Sequence, residues 1–281
     1  MENKLTVKDI LELKNKRKIT LLTAYDYSLA RLVDNAGIDI ILVGDSLANV
    51  VLGLDSTTKV GMMEMLHHTK AVKRAVKHAF LVGDMPYESY QLNSEDAVKN
   101  AKRFMDEAGC DAVKVEWFDQ CLAVTDKIIK SGIPVMGHIG LTPQTVDKIG
   151  GFKVQGKDAE AAQRLIEQAL ELEKSGCFAI VLECVPDKLV ELITKEIKIP
   201  TIGIGAGKYC DGQALVINDM LGLFDRHLPK FVKKYVDLSV LITKALEKYK
   251  SEVINGEFPS AEHSYTIKEE ELRKIKNEKT V

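Results

Sequence analysis

The chain has 281 residues, of which 46% are hydrophobic, 28% charged and 6% aromatic, and its formal net charge is −2. This charge balance argues against a strongly basic nucleic-acid binder, and the apolar runs are shorter than the roughly 20 residues that a membrane span needs. Five cysteines without a Cys-x-x-Cys pair predict reduced thiols, and the start of the sequence has no apolar leader, so we expect a cytoplasmic protein.

Short runs rich in valine and isoleucine alternate with longer helical patterns along the chain. Most of these runs are apolar on successive residues, which is typical of a parallel sheet buried on both faces. The eight predicted strands are Ile19–Tyr25, Asp39–Gly44, Phe80–Gly83, Ala112–Glu116, Pro134–His138, Ala179–Glu183, Thr201–Ile204 and Ala214–Ile217. Eight repeated strand–helix units favour an α/β fold of the (β/α)8 TIM barrel type, with an open doubly wound sheet as the alternative.

Helical patterns lie between these strands and at both ends. The predicted helices are Ser28–Asn35, Glu64–His78, Ser94–Ala108, Asp119–Lys130, Asp158–Lys174 and Asp187–Lys195. We expect one catalytic barrel domain over residues 1–260, with a short amphipathic helix within residues 1–18. Residues 261–281 predict a polar tail that is rich in lysine and glutamate and contains a helix near Ile267–Asn277.

Polar side chains stand at the carboxyl ends of five consecutive predicted strands, where barrel enzymes carry their chemistry. They are Asp45 and Ser46, Asp84, Lys114 and Glu116, His138, and Glu183. Lys114 and Glu116 are two residues apart on one strand, so they point to the same face. If that face is the barrel interior, both side chains reach the mouth.

Four carboxylates at one opening repel one another, so a positive group must offset them. Lys114 and His138 supply part of that positive charge. We expect a divalent cation that prefers oxygen ligands, magnesium or manganese, to supply the rest. Each of these residues, taken alone, also has a purely structural explanation. An acid that follows a strand often caps the next helix, and Lys114 can form a structural ion pair with Glu116. A single histidine is often a hydrogen-bonded core residue. Glu183 lies among apolar neighbours, and burial there would raise its pKa and suit it to proton transfer.

Two glycine-containing segments follow predicted strands. Gly203, Gly205 and Gly207 do not have the Gly-x-Gly-x-x-Gly spacing of dinucleotide-binding proteins, and a close backbone approach at the barrel mouth explains them better. Residues 140–156 form a long stretch without apolar periodicity, which we interpret as a lid or substrate loop.

Six motifs, taken in order, resemble the ketopantoate hydroxymethyltransferase family. They are Leu22-Thr-Ala-Tyr-Asp26, Ile41-Leu-Val-Gly-Asp-Ser46, Gly140-Leu-Thr-Pro-Gln144, Gly150-Gly-Phe-Lys-Val-Gln-Gly156, Ile202-Gly-Ile-Gly-Ala-Gly207 and Asp211-Gly-Gln-Ala-Leu-Val216. The resemblance runs from about residue 5 to about residue 260. It implies a (β/α)8 barrel enzyme of pantothenate and coenzyme A biosynthesis, which moves a hydroxymethyl group from 5,10-methylenetetrahydrofolate to 3-methyl-2-oxobutanoate.

The resemblance also implies roles for individual residues. Asp45, Asp84 and Glu116 would surround one Mg²⁺ per subunit, with Asp45 and Asp84 as the nearer ligands. Ser46 and Lys114, together with those two aspartates, would bind the keto acid, His138 would line its site, and Glu183 would accept its proton. The resemblance further implies a homo-oligomer, a decamer in this family. It indicates small-molecule partners, the keto acid and the folate, and neither a nucleic acid nor a membrane.

Two other functions fit parts of the pattern. A magnesium-dependent carbon–carbon lyase or mutase of the isocitrate lyase kind also acts on an α-oxo acid in a barrel, but the sequence lacks the Lys-Lys-Cys-Gly-His loop of those lyases. A catalytically inactive scaffold barrel is the other alternative, and the complete set of four acids argues against it.

Overall fold

Eight parallel strands close into a barrel in the computed structural model, which describes residues 3–148, 150–224 and 228–277. Each strand pairs with the next, and β1 also pairs with β8, which closes the sheet. The strands are β1 (Ile19–Thr23), β2 (Ile40–Val43), β3 (Phe80–Asp84), β4 (Ala112–Glu116), β5 (Val135–Gly140), β6 (Ala179–Glu183), β7 (Thr201–Ile204) and β8 (Gly212–Leu215). The predicted TIM barrel is confirmed, and the open doubly wound alternative is wrong.

Helices precede, connect and follow the strands. In the described residues they are α1 (Val7–Leu13), α2 (Tyr27–Asn35), α3 (Leu47–Val50), α4 (Met62–Ala75), α5 (Ser94–Asp106), α6 (Cys121–Lys130), α7 (Ala159–Lys174), α8 (Asp187–Glu196), α9 (Ile217–Met220), α10 (Leu238–Ile254) and α11 (Glu269–Asn277). The six predicted inter-strand helices correspond to α2 and α4–α8, and the predicted tail helix corresponds to α11. Residues 205–211 join β7 to β8 without a helix.

The last strand begins two residues earlier than the sequence predicts. Its apolar run suggested Ala214–Ile217, whereas β8 spans Gly212–Leu215. Gly212 pairs with Ile19 at the barrel closure, and a Cβ at Gly212 would lie 2.6 Å from the Ile19 carbonyl oxygen. The close approach of two backbones therefore requires a glycine here, although glycine has little strand propensity.

Alternate strand residues point into the barrel and form an apolar interior. This interior cluster includes Ile19, Leu21, Ile40, Leu42, Phe80, Val82, Ala112, Met136, Val181 and Ile202, and Ile10 of α1 belongs to it as well. The same alternation continues into polar residues towards the carboxyl ends of the strands. Two residues beyond Val82, Ala112, Met136 and Val181 stand Asp84, Lys114, His138 and Glu183.

Three aspartates brace the opposite, amino-terminal ends of the strands. Each directly precedes an even-numbered strand, and its Oδ2 accepts a hydrogen bond of 2.8–2.9 Å from a backbone N–H of the preceding strand. The pairs are Asp39 with Thr20, Asp111 with Leu81 and Asp211 with Thr201. The register of neighbouring strands is therefore held by carboxylates as well as by the backbone ladder.

Asp39 also pairs with Arg17, whose Nη1 donates to Oδ2 at 2.8 Å. Burial raises the pKa of Asp39, but the hydrogen bonds from Arg17 and Thr20 outweigh this effect and hold that pKa below its usual value. The ionised carboxylate of Asp39 therefore stabilises the folded chain at neutral pH.

Helix α10 was not predicted as a separate element, and it buries none of its 17 residues against its own chain. Its exposed apolar side chains are Val240, Leu241, Ile242, Leu246, Tyr249, Val253 and Ile254. None of the helices in the described part of the chain has the length and hydropathy of a membrane span. All five cysteines are free, as predicted, and four of them are buried.

Candidate active site

A cavity of about 940 Å³ opens at the carboxyl ends of the strands. All seven site residues predicted from the sequence line it: Asp45, Ser46, Asp84, Lys114, Glu116, His138 and Glu183. We call this space the main cavity. The structure thus brings together side chains from β3, β4, β5 and β6 and from the segment after β2.

Lys114 lies between two carboxylates at the base of the main cavity. Its Nζ is 2.9 Å from Asp84 Oδ1 and 3.7 Å from Glu116 Oε1, and all three side chains are at most 5% exposed. The neighbouring carboxylates outweigh the effect of burial and raise the pKa of Lys114. Lys114 is therefore a fixed positive charge at this mouth.

His138 joins Glu116 to Glu183. Its Nδ1 lies 3.4 Å from Glu116 Oε1, and its Nε2 lies 3.2 Å from Glu183 Oε2. Burial and the charge of Lys114 lower the pKa of His138, but the contacts with the two carboxylates outweigh them and raise it to about 9. The raised pKa favours the protonated imidazole at neutral pH, and its Nε2 faces the Glu183 carboxylate without an aligned hydrogen bond, while Lys114 Nζ lies 3.3 Å from Nδ1. The side chain of Glu183 is 16% exposed.

The negative charges of the site exceed its positive charges. Among the buried charged side chains at the base of the main cavity and Glu183 beside them, the four carboxyl groups of Asp45, Asp84, Glu116 and Glu183 outnumber the two basic groups of Lys114 and His138. Burial, followed by the charges of Asp84 and Glu116, raises the pKa of Asp45 to about 8, and burial also raises the pKa of Asp84. Burial and mutual repulsion therefore favour a proton on the Asp45–Asp84 pair when no further cation is bound.

Gln144 connects Asp45 and Glu116 and also contacts Tyr90, although it was not among the predicted site residues. Its Nε2 donates to Asp45 Oδ2 at 2.9 Å, and its backbone N–H donates to Glu116 Oε2 at 3.0 Å. Its Oε1 accepts a hydrogen bond of 2.5 Å from Tyr90 Oη, which in turn accepts from the Glu116 N–H. Gln144 is the last residue of the Gly140-Leu-Thr-Pro-Gln144 motif, which is the signal in the sequence that could have identified it. Its side chain is uncharged, so a pattern of ionisable residues at strand ends does not include it.

Ser46 begins the single turn of α3 directly after Asp45. Its Oγ lies 2.8 Å from Tyr25 Oη, and Tyr25 is fully buried. Burial raises the pKa of Tyr25, so this phenol stays neutral and can hold the serine hydroxyl by a hydrogen bond. The hydroxyl at the cavity wall therefore has a defined position.

Within the described residues, no group of three or more His, Cys, Asp or Glu side chains is arranged to bind a metal ion. Glu116 is engaged by His138, Lys114 and the Gln144 N–H, whereas Asp84 Oδ1, despite its proximity to Lys114, accepts no aligned hydrogen bond. Among the described residues that line the main cavity, Thr57 Oγ1 and Asp219 Oδ1 likewise have no hydrogen-bond partner, and Asp84 Oδ1 is the one that lies at the base beside Lys114.

A closed parallel barrel with ionisable side chains gathered at the carboxyl ends of its strands is the architecture of a (β/α)8-barrel enzyme. A family profile described as ketopantoate hydroxymethyltransferase matches residues 4–261. The chain belongs to the ketopantoate hydroxymethyltransferase family.

Curated relatives match the chain over nearly its whole length. A 3-methyl-2-oxobutanoate hydroxymethyltransferase of Syntrophomonas wolfei is 58% identical over 262 residues, covering 93% of this chain and 95% of the relative. The protein of that name from Syntrophobacter fumaroxidans is 54% identical over 275 residues, covering 98% of each.

Solved structures with the same fold are much more distant in sequence. Phosphonopyruvate hydrolase superposes with a TM-score of 0.61 at 11% identity, covering 98% of this chain and 96% of that chain. For 2,3-dimethylmalate lyase, a member of the PEP mutase/isocitrate lyase superfamily, the TM-score is 0.59 at 11% identity, covering 92% of each chain. At such identities the likeness concerns the fold alone, so it does not favour the lyase alternative.

Proposed function

We propose that this chain transfers a hydroxymethyl group from 5,10-methylenetetrahydrofolate to 3-methyl-2-oxobutanoate, giving ketopantoate and tetrahydrofolate. The names of the curated relatives specify the keto acid and the transferred group. The observation that carries the proposal for this chain is the convergence of Glu183 with Asp45, Asp84 and Lys114 on one cavity. A base, a buried cation and two further carboxylates are what deprotonation of an α-oxo acid next to its carbonyl group needs.

Glu183 is the proposed general base. Its carboxylate is reachable from the main cavity and is positioned by His138. It removes the proton from C3 of the keto acid, and the resulting enolate carbon attacks the one-carbon unit of the folate. Water then supplies the hydroxyl group as the bond between the one-carbon unit and the folate nitrogen breaks, which releases the hydroxymethylated acid and tetrahydrofolate.

Lys114 and Ser46 bind the carboxylate end of the keto acid in this proposal. Lys114 supplies a full positive charge at the cavity floor, and Ser46 offers a hydroxyl whose position Tyr25 fixes. Fixing the acid at that end directs C3 towards Glu183. His138 lines the same site.

Asp45 and Asp84 fit a Mg²⁺ ion, with Glu116 further out. Two buried carboxylates with too little opposing charge suit a hard cation that keeps several sites for water and substrate oxygens. The raised pKa of Asp45 supports this assignment, because a proton there stands in for the missing positive charge. When bound, one Mg²⁺ per subunit supplies Lewis-acid polarisation of the keto oxygen.

A turnover assay tests the proposal. We expect tetrahydrofolate and ketopantoate to form from the keto acid, the methylene folate and Mg²⁺, and we expect excess chelator to stop turnover and added Mg²⁺ to restore it. Full activity in chelator would contradict the metal assignment. Cleavage of isocitrate-type substrates without hydroxymethyl transfer would instead support the lyase alternative.

We also propose that the chain forms a homo-oligomer, with a decamer as the specific expectation. Seven large apolar side chains on α10 face solvent in the single chain, and such a surface is typical of a contact between subunits. Sedimentation of the purified protein measures the mass. A particle that stays at the 31.2 kDa of one chain would contradict the proposal.

A further inference from the structure

A second cavity, of about 580 Å³, lies beside the main cavity. Lys153 and Val154 line both cavities, so the two spaces border each other at these residues. The second cavity is formed mainly by the connection from β5 to α7 and by α7 itself, with Trp117 and Phe118 from the segment after β4. The functional roles assigned so far use none of these residues.

The second cavity is lined by more positive than negative groups. Its cations are Lys148, Lys153, Lys157 and Arg164, and its carboxylates are Asp119 and Asp158. Asp158 is engaged as the helix cap of α7, where its Oδ1 accepts the Ala161 N–H at 2.8 Å. In the described part of the chain, no carboxylate lies within 4.0 Å of the three lysine ammonium groups.

The connection that carries two of these lysines is anchored next to the proposed base. The Gln155 N–H donates to the carbonyl oxygen of Cys184, the residue after Glu183, at 2.9 Å. Gly156 has φ +75°, and a Cβ there would lie 2.6 Å from Leu189 and 2.8 Å from Leu165. The backbone between Lys153 and Lys157 is therefore held against α7, α8 and the end of β6.

Aromatic surface accompanies the charges. Phe152 is 76% exposed and lines the main cavity, and the half-buried Trp117 lines the second cavity. An occupant that spans both spaces would therefore meet flat apolar surface from Phe152 and Trp117 as well as positive charge from the lysines. A ligand with a planar ring followed by carboxylates complements this combination.

We infer that the second cavity binds the aminobenzoyl-glutamate end of the folate co-substrate, with Lys153 and Lys157 as the main partners of the glutamate carboxylates. The inference rests on the proposed function, because that function supplies a folate whose methylene group must reach the main cavity. The small keto acid leaves most of the main cavity free for the pterin. The rest of the folate then extends past Lys153 and Val154 into the second cavity.

Calorimetric titration with two ligands tests the inference without turnover. Tetrahydrofolate carries the glutamate, and tetrahydropteroate is the same molecule without it. In the double variant Lys153→Gln/Lys157→Gln we expect Kd for tetrahydrofolate to rise about tenfold, as for two partly exposed charge contacts, and Kd for tetrahydropteroate to change less than about twofold. The matched control Lys99→Gln/Lys102→Gln, on the exposed face of α5, should change neither value.

An unchanged Kd for tetrahydrofolate in the Lys153/Lys157 variant would overturn the inference, as would an equal loss for both ligands. The proposed function has its own readout, the exchange of the C3 proton of the keto acid, which needs no folate. If the C3 proton exchanges but Kd for tetrahydrofolate is unchanged in the Lys153/Lys157 variant, the proposed function stands and the second cavity is not the folate site. If Kd changes as expected but the protein shows neither exchange nor turnover, the proposed function is wrong and the second cavity still binds the folate.

Discussion

Glu183→Gln is expected to lower the rate of C3-proton exchange of 3-methyl-2-oxobutanoate by about 10²–10⁴-fold, the range that general-base catalysis contributes. An amide cannot accept the proton, yet it has nearly the shape of the carboxylate. Glu183 is 16% exposed and, among the described residues, His138 is its one ion-pair partner, so we expect the amide to leave the packing around β6 unchanged. Exchange into deuterated solvent, followed by proton NMR, measures the effect.

The binding of the keto acid provides the control for this variant. Lys114, Ser46 and the Asp45–Asp84 pair remain in place, so calorimetry with Mg²⁺ should give a Kd close to that of the unaltered protein. Proton exchange at the unaltered rate would show that Glu183 is not the base. A large loss of keto-acid affinity would assign Glu183 to binding instead.

Asp45→Asn is expected to lower kcat/KM by about 10²–10³-fold, because a Lewis-acid metal is worth several kcal/mol and each 1.36 kcal/mol is tenfold in rate. The same change should leave the thermal midpoint of the metal-free protein unchanged or raise it. Burial and the charges of Asp84 and Glu116 disfavour the ionised form of Asp45, as its raised pKa shows. The amide cannot ionise, so it matches the protonated carboxyl group at neutral pH, removes that repulsion at a pH above about 8, and keeps an oxygen for the Gln144 hydrogen bond.

Asp45→Asn should lower kcat/KM while the thermal midpoint stays the same or rises, and this combination distinguishes loss of a metal ligand from misfolding. Loss of activity through misfolding would lower the midpoint, so a strongly lowered midpoint would contradict the electrostatic account. Asp106→Asn is a suitable control, since Asp106 is exposed at the end of α5 and lines neither cavity. It should retain both activity and thermal midpoint.

The fold could be predicted from the sequence because parallel strands buried on both faces leave continuous apolar runs. All eight strands and the six inter-strand helices were found in this way. Three features escaped. Gly212 begins β8 because the backbone of Ile19 passes too close for a Cβ, and strand propensities do not account for such a contact. The direct β7–β8 connection has no helical pattern to detect. Helix α10 buries nothing in its own chain, so the usual link between apolar periodicity and the core does not apply to it.

The part of the candidate site that consists of charged residues on strands could be predicted from the sequence. The two-residue alternation places Asp84, Lys114, His138 and Glu183 on the inner face once the strands are known. Gln144 and Tyr90 were missed because they lie on connections beyond β5 and β3, where spacing does not determine orientation. The distances among Asp45, Gln144 and Glu116 depend on how those connections fold over the mouth.

The two ends of the barrel respond to acid in opposite senses. At the amino-terminal end, Asp39 has a lowered pKa, so its bonds to Arg17 and Thr20 are lost as the pH falls below the usual titration range of aspartate and through that lowered pKa. At the mouth, Asp45 and Asp84 have raised pKa values, so protonation there relieves mutual repulsion. The mouth therefore takes up protons at a higher pH than the amino-terminal end does, and we expect its affinity for a cation to fall before the contacts of Asp39 are lost.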